Sequence, residues 1–348
     1  MDTKIRIAIN GFGRIGRAFF KLARKYPEFD IVAVNDLGDP ENMVYLLKYD
    51  TAYGKADFDI HTEKEGDTLY FVVDGERTKL IQEKDVARLP WGELGVDVVV
   101  ESTGRFTSFE KSKAHLDAGA KRAVITAPVK GEAVPGISGV TALMGINDGE
   151  LDGAQITSNG SCTTNAAAPV IAILNEKLGI EKAILNTTHA MTGTQLVVDG
   201  PGGKDLRGGR SASMNMIPAT TGAAVAVTEA VPELKGKYDG IAVRVPVITG
   251  SLADVTFIAK RNTSVEEVNQ ILRDAANDPR WQGIFTVTEE PLVSSDIIGS
   301  EYGSIADLEM TRVVDGNLVK VLAWYDNEMG YTATLVKHVR AVGQKIFR

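Results

Sequence analysis

Cysteine is almost absent from this 348-residue sequence: a single one, Cys162, stands among 35 glycines and 12 prolines. One thiol cannot close an intramolecular disulfide, and it excludes a cysteine-rich metal site. Histidine is scarce as well, and His61, His115, His189 and His338 are too scattered to suggest a ligand set. No apolar run reaches the roughly 18 residues that a membrane-spanning helix needs. The opening stretch MDTKIRIAIN has no basic leader followed by an apolar core, so a cytoplasmic location is expected. Positive charge is in deficit, with 38 Lys and Arg against 46 Asp and Glu and a formal net charge of -8. That balance offers no general attraction for nucleic acid or anionic membrane. An anionic ligand must be caught locally, by directed donors.

What is present is a globular composition, 44% hydrophobic and 24% charged, on a chain long enough for two domains with separate cores. Ile5 to Ile9 alternates and is β-branched, Arg14 to Lys25 has helical periodicity, and Ile31 to Val34 is apolar again. That is a βαβ unit. Val96 to Val100 and Ala123 to Thr126, separated by the helix-like Phe109 to Ala118, extend it into a parallel α/β sheet. Beyond about residue 165 the strands lengthen and alternate, at Gly240 to Val247, Asp254 to Arg261 and Asn317 to Tyr325, as in a sheet with one covered face. A second domain is therefore expected to begin near Cys162. Asp199 to Arg210 is rich in glycine and charge and reads as a loop. Met329 to Ile346 reads as an amphipathic helix with Leu335, Val339 and Val342 on one side.

Gly11, Gly13 and Gly16 form G-x-G-x-x-G directly after the first strand and at the opening of the helix, with Asp36 at the end of the second strand. The first glycine permits a tight turn, the second lets a pyrophosphate approach the backbone, and the third lets helix and strand pack closely. Helix amides and dipole then face the phosphates. A carboxylate at Asp36 accepts hydroxyl hydrogens from a ribose diol and repels a 2′-phosphate, so NAD is expected rather than NADP.

Cys162 follows a glycine turn in Ser158 to Asn165, SNGSCTTN, and stands at the start of the apolar helical segment Ala166 to Leu178. A helix start lowers thiol pKa and a neighbouring imidazole lowers it further, which points to a nucleophile. Pro169 is expected to kink or tighten the first turns. His189 follows the strand-like Ala183 to Thr188 and is the leading base candidate. Arg244, a charge within the apolar strand Val243 to Pro246, needs a partner or a ligand.

At these residues the sequence resembles the glyceraldehyde-3-phosphate dehydrogenase family: INGFGRIGR (9 to 17), LLKYDTAYG (46 to 54), SNGSCTTN (158 to 165), DLRGGR (205 to 210), TTGAA (220 to 224) and WYDNEMGY (324 to 331) span nearly the whole chain. The resemblance implies an α/β fold: a Rossmann dinucleotide-binding domain over residues 1–161, joined by a C-terminal helix over 327–348. It also implies an α+β catalytic domain with a mixed, largely antiparallel sheet over 162–326. It implies a homotetramer that oxidises glyceraldehyde 3-phosphate with NAD and inorganic phosphate through a thiohemiacetal and a thioester on Cys162, with His189 as base. By the same resemblance Thr192, Thr194 and Arg244 hold the substrate phosphate, and Ser161, Thr163, Thr221 and Gly222 hold inorganic phosphate. Arg14, Ile15, Thr103 and Gly104 join the cofactor turn, and Asn327 and Tyr331 position the nicotinamide.

The sequence departs from the family pattern at Gly160, where Ala is usual, at Ala166, Met191, Val225 and Val247. None removes a reacting group. Gly160 is expected to loosen the cysteine loop, since glycine costs more to order than alanine. Two alternatives remain at this stage. An erythrose-4-phosphate dehydrogenase would share Cys162 and His189, but Thr192 to Gln195 resembles the glyceraldehyde enzyme instead. A non-catalytic NAD-binding redox sensor would have no need of both side chains.

Overall fold

The computed structural model describes residues 4–129, 134–202 and 205–347. The parts of the expected domain boundaries that fall on 1–3, 130–133 and 348, and the middle of the expected loop at 203–204, lie outside them. The chain divides into two compact units, one of residues up to 142, 148–160 and 335 onward, the other of 143–147 and 161–334. The division near Cys162 falls at 160/161, and the C-terminal helix Met329–Gln344 belongs to the first unit only from Leu335 onward.

The first unit is built on a nine-stranded sheet in the order Gly139–Thr141, Ile156–Ser158, Arg122–Ile125, Val98–Glu101, Ile5–Asn10, Phe29–Asn35, Glu76–Ile81, Thr68–Val73, Ile60–Glu65. The first seven strands pair in parallel, and the last two pairings are antiparallel, through Thr68–Val73, in hairpins that the hydrophobic runs did not disclose. Val98–Glu101 is buried at every position and Ile5–Asn10 at all but Arg6, the near-continuous apolar pattern of strands covered on both faces. Ile5–Asn10 lies between Phe29–Asn35 and Val98–Glu101, so the chain order reverses beside it. The carboxyl ends of these three strands deliver Gly11, Asp36 and Thr103, the place where open α/β sheets bind ligands.

The second unit carries a seven-stranded mixed sheet, in the order Ile217–Thr220, Tyr238–Val245, Ile180–Ala190, Ser251–Ala259, Leu318–Tyr325, Ser304–Val314, Phe285–Thr288. Four of its six pairings are antiparallel. Ser251–Ala259 alternates buried and half-buried without a break, the period-2 pattern of a sheet with one covered face. The cover includes the helices Cys162–Leu178 and Val265–Ala276. Cys162–Leu178 is buried from Thr163 to Leu174, and it runs through Pro169 as one helix rather than ending or restarting there.

Candidate active site

In the first unit the three glycines of the turn face three different constraints. Gly11 has φ +95°, and a Cβ there would stand 2.6 Å from the Thr103 backbone nitrogen. At Gly16 it would stand 2.1 Å from the Gly11 carbonyl oxygen, so helix Arg14–Ala23 could not reach the strand end with any side chain there. Gly13 has no atom within 4 Å of where its Cβ would be, and it caps the helix without a side-chain hydrogen bond. An uncapped helix start beside open space suits an anion. Gly11, Gly13, Asp36 and Thr103 line one cleft of about 490 Å³.

The Asp36 carboxylate is anchored by the Phe12 N–H at 2.6 Å and the Gly38 N–H at 2.8 Å. Below the cleft a buried network supports Thr103, whose N–H donates to Glu101 Oε1 at 2.9 Å. Asn10 and His115 hold Glu101 Oε2 at 2.6 and 3.0 Å. Trp91 donates to His115 Nδ1 at 3.2 Å, which leaves the histidine proton on Nε2, facing Glu101. The sequence showed no sign of this network, because its directly bonded partners are up to 91 residues apart. Arg14 opens the helix after the turn, and its guanidinium is paired with Asp50 at 2.5 Å and lies over the Tyr53 ring. Its side chain therefore ties the Asp50 turn to the helix. Ile15 is half-buried in that turn, and Gly104, at φ +71°, is exposed beside Thr103.

In the second unit Cys162 is the first residue of helix Cys162–Leu178. Ser161 and Thr164 form a reciprocal capping box, the Thr164 N–H donating to Ser161 Oγ at 3.1 Å and the Ser161 N–H to Thr164 Oγ1 at 3.2 Å. Two orphan amides are thereby satisfied and the thiol is fixed at the first turn. Gly160, just before the cap, has φ +62°. This is the left-handed region, which costs a residue with a Cβ about 1 kcal/mol and glycine little. The expected loosening is thus reversed, since glycine is the residue this turn accommodates best.

Cys162 Sγ lies 3.3 Å from His189 Nε2. In strand Ile180–Ala190 the inward positions Leu185, Thr187 and His189 alternate with the outward Ile184, Asn186 and Thr188, which turns the imidazole toward the core side. Register pairs His189 with Arg244 on the parallel neighbour. Arg244 Nη1 stands 2.6 Å from His189 Nδ1 and donates to Ala190 O at 3.2 Å, while His189 Nδ1 is also 2.7 Å from Ala190 O. Arg244 Nε is buried with no hydrogen-bond partner.

Burial pushes the Cys162 thiol up from its ordinary value, against the pull of the Arg244 charge and of the Thr163 N–H. The residue keeps some exposed surface, but the protein packed around the thiol outweighs that opening. This corrects the expectation of a depressed thiol pKa: desolvation disfavours the anion by more than the helix start favours it. Burial and then the Arg244 charge lower His189 to about 4. Both shifts favour a neutral thiol beside a neutral imidazole near pH 7, a pair in which the ring acts as a base on demand. Tyr325, which the sequence reading did not single out although it lies in WYDNEMGY, packs edge-on to His189 with ring centroids 6.0 Å apart. Its hydroxyl bridges Thr163 and Thr187 at 2.9 and 2.8 Å.

The expected phosphate donors are partly assembled. Thr192 and Thr194 hydroxyls meet at 3.0 Å, and Gln195 Oε1 accepts from the Thr192 N–H at 2.7 Å. Met191 and Val247, two departures from the family pattern, join these segments through a backbone bond of 3.0 Å. Ser161 and Thr163 hydroxyls are committed internally, one to the helix cap and one to Tyr325. Thr221 accepts the Ala223 N–H at 3.1 Å, and Gly222 begins helix Ala223–Ala230 with no side-chain cap. Asn327 Oδ1 accepts from Ser251 at 2.9 Å and from Thr249 at 3.2 Å, and Tyr331 is buried. Neither belongs to the set that lines the first unit's cleft.

Family models match both units: the NAD binding domain of glyceraldehyde 3-phosphate dehydrogenase over residues 5–109, and its C-terminal domain over 161–327. Glyceraldehyde-3-phosphate dehydrogenase of Clostridium pasteurianum is 45% identical over 337 residues, 95% of this chain and 96% of its own. The enzymes of that name from Streptomyces coelicolor, 46% identical over 346 residues, and Geobacillus stearothermophilus, 44% over 343, each cover 98% of this chain and 99% of their own. A Rossmann turn, a helix-start cysteine against a strand-end histidine, and likeness over almost the full length agree, and the chain belongs to the glyceraldehyde-3-phosphate dehydrogenase family.

Proposed function

We propose that this protein is the phosphorylating enzyme, oxidising glyceraldehyde 3-phosphate with inorganic phosphate to 1,3-bisphosphoglycerate. The observation that carries the reading is the 3.3 Å approach of Cys162 Sγ to His189 Nε2. The thiol proton passes to the imidazole as sulfur attacks the aldehyde carbon, giving a thiohemiacetal. The oxyanion would be held by the Cys162 N–H, an amide of the helix's first turn, and by the ring. The imidazolium returns that proton to the oxyanion, and the neutral ring of His189 takes it back from the hydroxyl as the carbon loses hydride and becomes a thioester. Phosphate opens the thioester, returning the thiol and releasing the acyl phosphate.

NAD, when bound, accepts the hydride. Gly11, Gly13 and the first turn at Arg14, Ile15 and Gly16 would hold its pyrophosphate, Asp36 its ribose, Thr103 and Gly104 the strand-end wall, and Asn327 and Tyr331 the nicotinamide. Thr192, Thr194 and Arg244 would hold the substrate phosphate, supported by the unpartnered Arg244 Nε. Ser161, Thr163, Thr221 and Gly222 would hold inorganic phosphate once the two committed hydroxyls turn outward. We also expect a cytoplasmic homotetramer.

The test is a titration of NAD and phosphate with the wild type beside Cys162→Ser. NADH formation from glyceraldehyde 3-phosphate should depend on phosphate and fall by at least about 10³-fold in the variant. Turnover independent of phosphate, or an active serine variant, would end this reading.

A further inference from the structure

The cleft of the first unit has two walls, and one chain of side-chain hydrogen bonds runs beneath it from wall to wall. At one wall the Glu83 N–H donates to Asn35 Oδ1 at 2.9 Å, and Asn35 Nδ2 donates to Asn10 Oδ1 at 2.7 Å. Asn10 Nδ2 donates in turn to Glu101 Oε2 at 2.6 Å. At the other wall Glu101 Oε1 accepts both the N–H and the hydroxyl of Thr103. A second arm reaches the same carboxylate, Trp91 donating to His115 Nδ1 and His115 Nε2 to Glu101 Oε2. Glu83, Asn35, Asn10 and Thr103 line the cleft, and Glu101, His115 and Trp91 are buried. Every bond in the chain runs one way. It starts at donors that cannot be reversed, a backbone N–H and an indole N–H, and ends on a carboxylate, which only accepts. Turning either asparagine amide over would set donor against donor.

We propose that Glu101 is a positioning residue for NAD: as the shared acceptor of this chain it holds the two walls of the cleft at a fixed separation, with His115 as the donor that keeps it in place. The inference rests on the reading of this cleft as the cofactor's. Four donors meet the two carboxylate oxygens, which fills the acceptor capacity of the group. The effect passes to the glycine turn through Thr103. A Cβ on Gly11 would stand 2.6 Å from the Thr103 backbone nitrogen, whose N–H Glu101 accepts, so strand end and turn are packed without slack. A shift of Thr103 therefore displaces the turn that a pyrophosphate must approach. The Thr103 hydroxyl oxygen also accepts the Arg105 N–H at 3.1 Å, which clamps the residue from a further side. Polarity matters here as much as packing. A side chain of the same size with an amide in place of the carboxylate would point its NH2 at a donor. No flip of the neighbours relieves that conflict, because the Glu83 N–H and the Trp91 Nε1–H fix both arms.

The experiment titrates NAD by calorimetry into the full-length protein freed of cofactor, with no aldehyde present, and records the melting temperature of each variant. Glu101→Gln should raise the Kd for NAD by about tenfold, within the range of coupling inside one hydrogen-bonded network, and raise KM for NAD more than it lowers kcat. His115→Gln, which keeps an acceptor for Trp91 and a donor for Glu101, should bind NAD as the wild type does. His115→Leu, which keeps neither, should weaken NAD binding as Glu101→Gln does. A purely structural carboxylate predicts instead a lower melting temperature with the wild-type Kd in Glu101→Gln, and that result would overturn the proposal. Should Glu101→Gln not fold, the two His115 variants decide, and equal Kd values in them overturn it as well. Asp36→Ala tests the cleft itself. An unchanged NAD Kd there would fall on the reading of the cleft, whereas a weakened one beside a wild-type Kd in Glu101→Gln falls on Glu101 alone.

Discussion

Asp36 combines two jobs on one carboxylate. The Phe12 and Gly38 N–H groups fix its plane, at 2.6 and 2.8 Å, and its charge faces the cleft that Gly11 and Gly13 line. Asp36→Asn keeps an acceptor for only one of these two N–H groups and removes the charge that repels a 2′-phosphate. The ratio of kcat/KM for NAD over NADP should therefore fall by about tenfold, with a lower melting temperature from the N–H group that loses its acceptor. An unaltered ratio would remove Asp36 from cofactor selection. Residues whose constraint is local in this way could be read from the sequence. Gly11 and Gly16 answer to contacts within one strand, turn and helix or with the adjoining strand end. The sign of the Cys162 shift was not readable, because it is the balance of burial against several opposing contacts, and burial is a sum over the whole packed unit.

Elements were legible where periodicity was strong, and their partners were not. The run from Ala183 to Thr188 announced a strand, yet the pairing of His189 with Arg244, 55 residues on, is a matter of sheet register. The C-terminal helix Met329–Gln344 shows the same limit. Its apolar stripe of Leu335, Val339 and Val342 is buried as expected. On the same helix, unforeseen, His338 is buried, accepting the Thr157 hydroxyl at Nε2, 2.7 Å away, and donating from Nδ1 to Ala142 O at 3.1 Å. Asp326 prepares the start of the helix by accepting the Glu328 and Met329 N–H groups at 2.9 Å, which gives the WYDNEMGY segment a structural role beside any cofactor role.

Burial lowers His338 from 6.5 to about 4. A histidine held neutral in the folded state binds fewer protons there than in the unfolded chain. Its contribution is complete above the unfolded value and is lost as pH falls through the folded one. Stability to denaturant should accordingly decline between about pH 6.5 and 4, by up to about 1.4 kcal/mol per pH unit for each such group, and His189 acts in the same direction. His338→Gln, which keeps a donor and an acceptor, should flatten that decline. An unflattened slope would assign the protonation elsewhere.

At the scale of the whole molecule, the change in texture near Cys162 was enough to divide the chain, because a parallel sheet covered on both faces and a sheet with one open face leave different patterns. What occupies the open face was not legible. Strand Ile180–Ala190 turns His189 inward and Ile184 outward, and Ile184, Val225 and Ile241 are 59%, 60% and 52% exposed. Ile184 and Val225 border a cleft of about 820 Å³ whose lining includes Lys182, Lys235, Lys237 and Asp239. Apolar side chains this open, beside polar ones, suit contact with another copy of the chain. Light scattering of the wild type should give four chain masses, and Ile184→Asp should move the protein to smaller species at the same concentration. Because the strand that presents Ile184 also sets the register of His189 on Arg244, the dissociated variant should lose turnover along with mass. A wild-type monomer at micromolar concentration, or full activity in a dissociated variant, would separate the outward face of this sheet from the chemistry on its inward face.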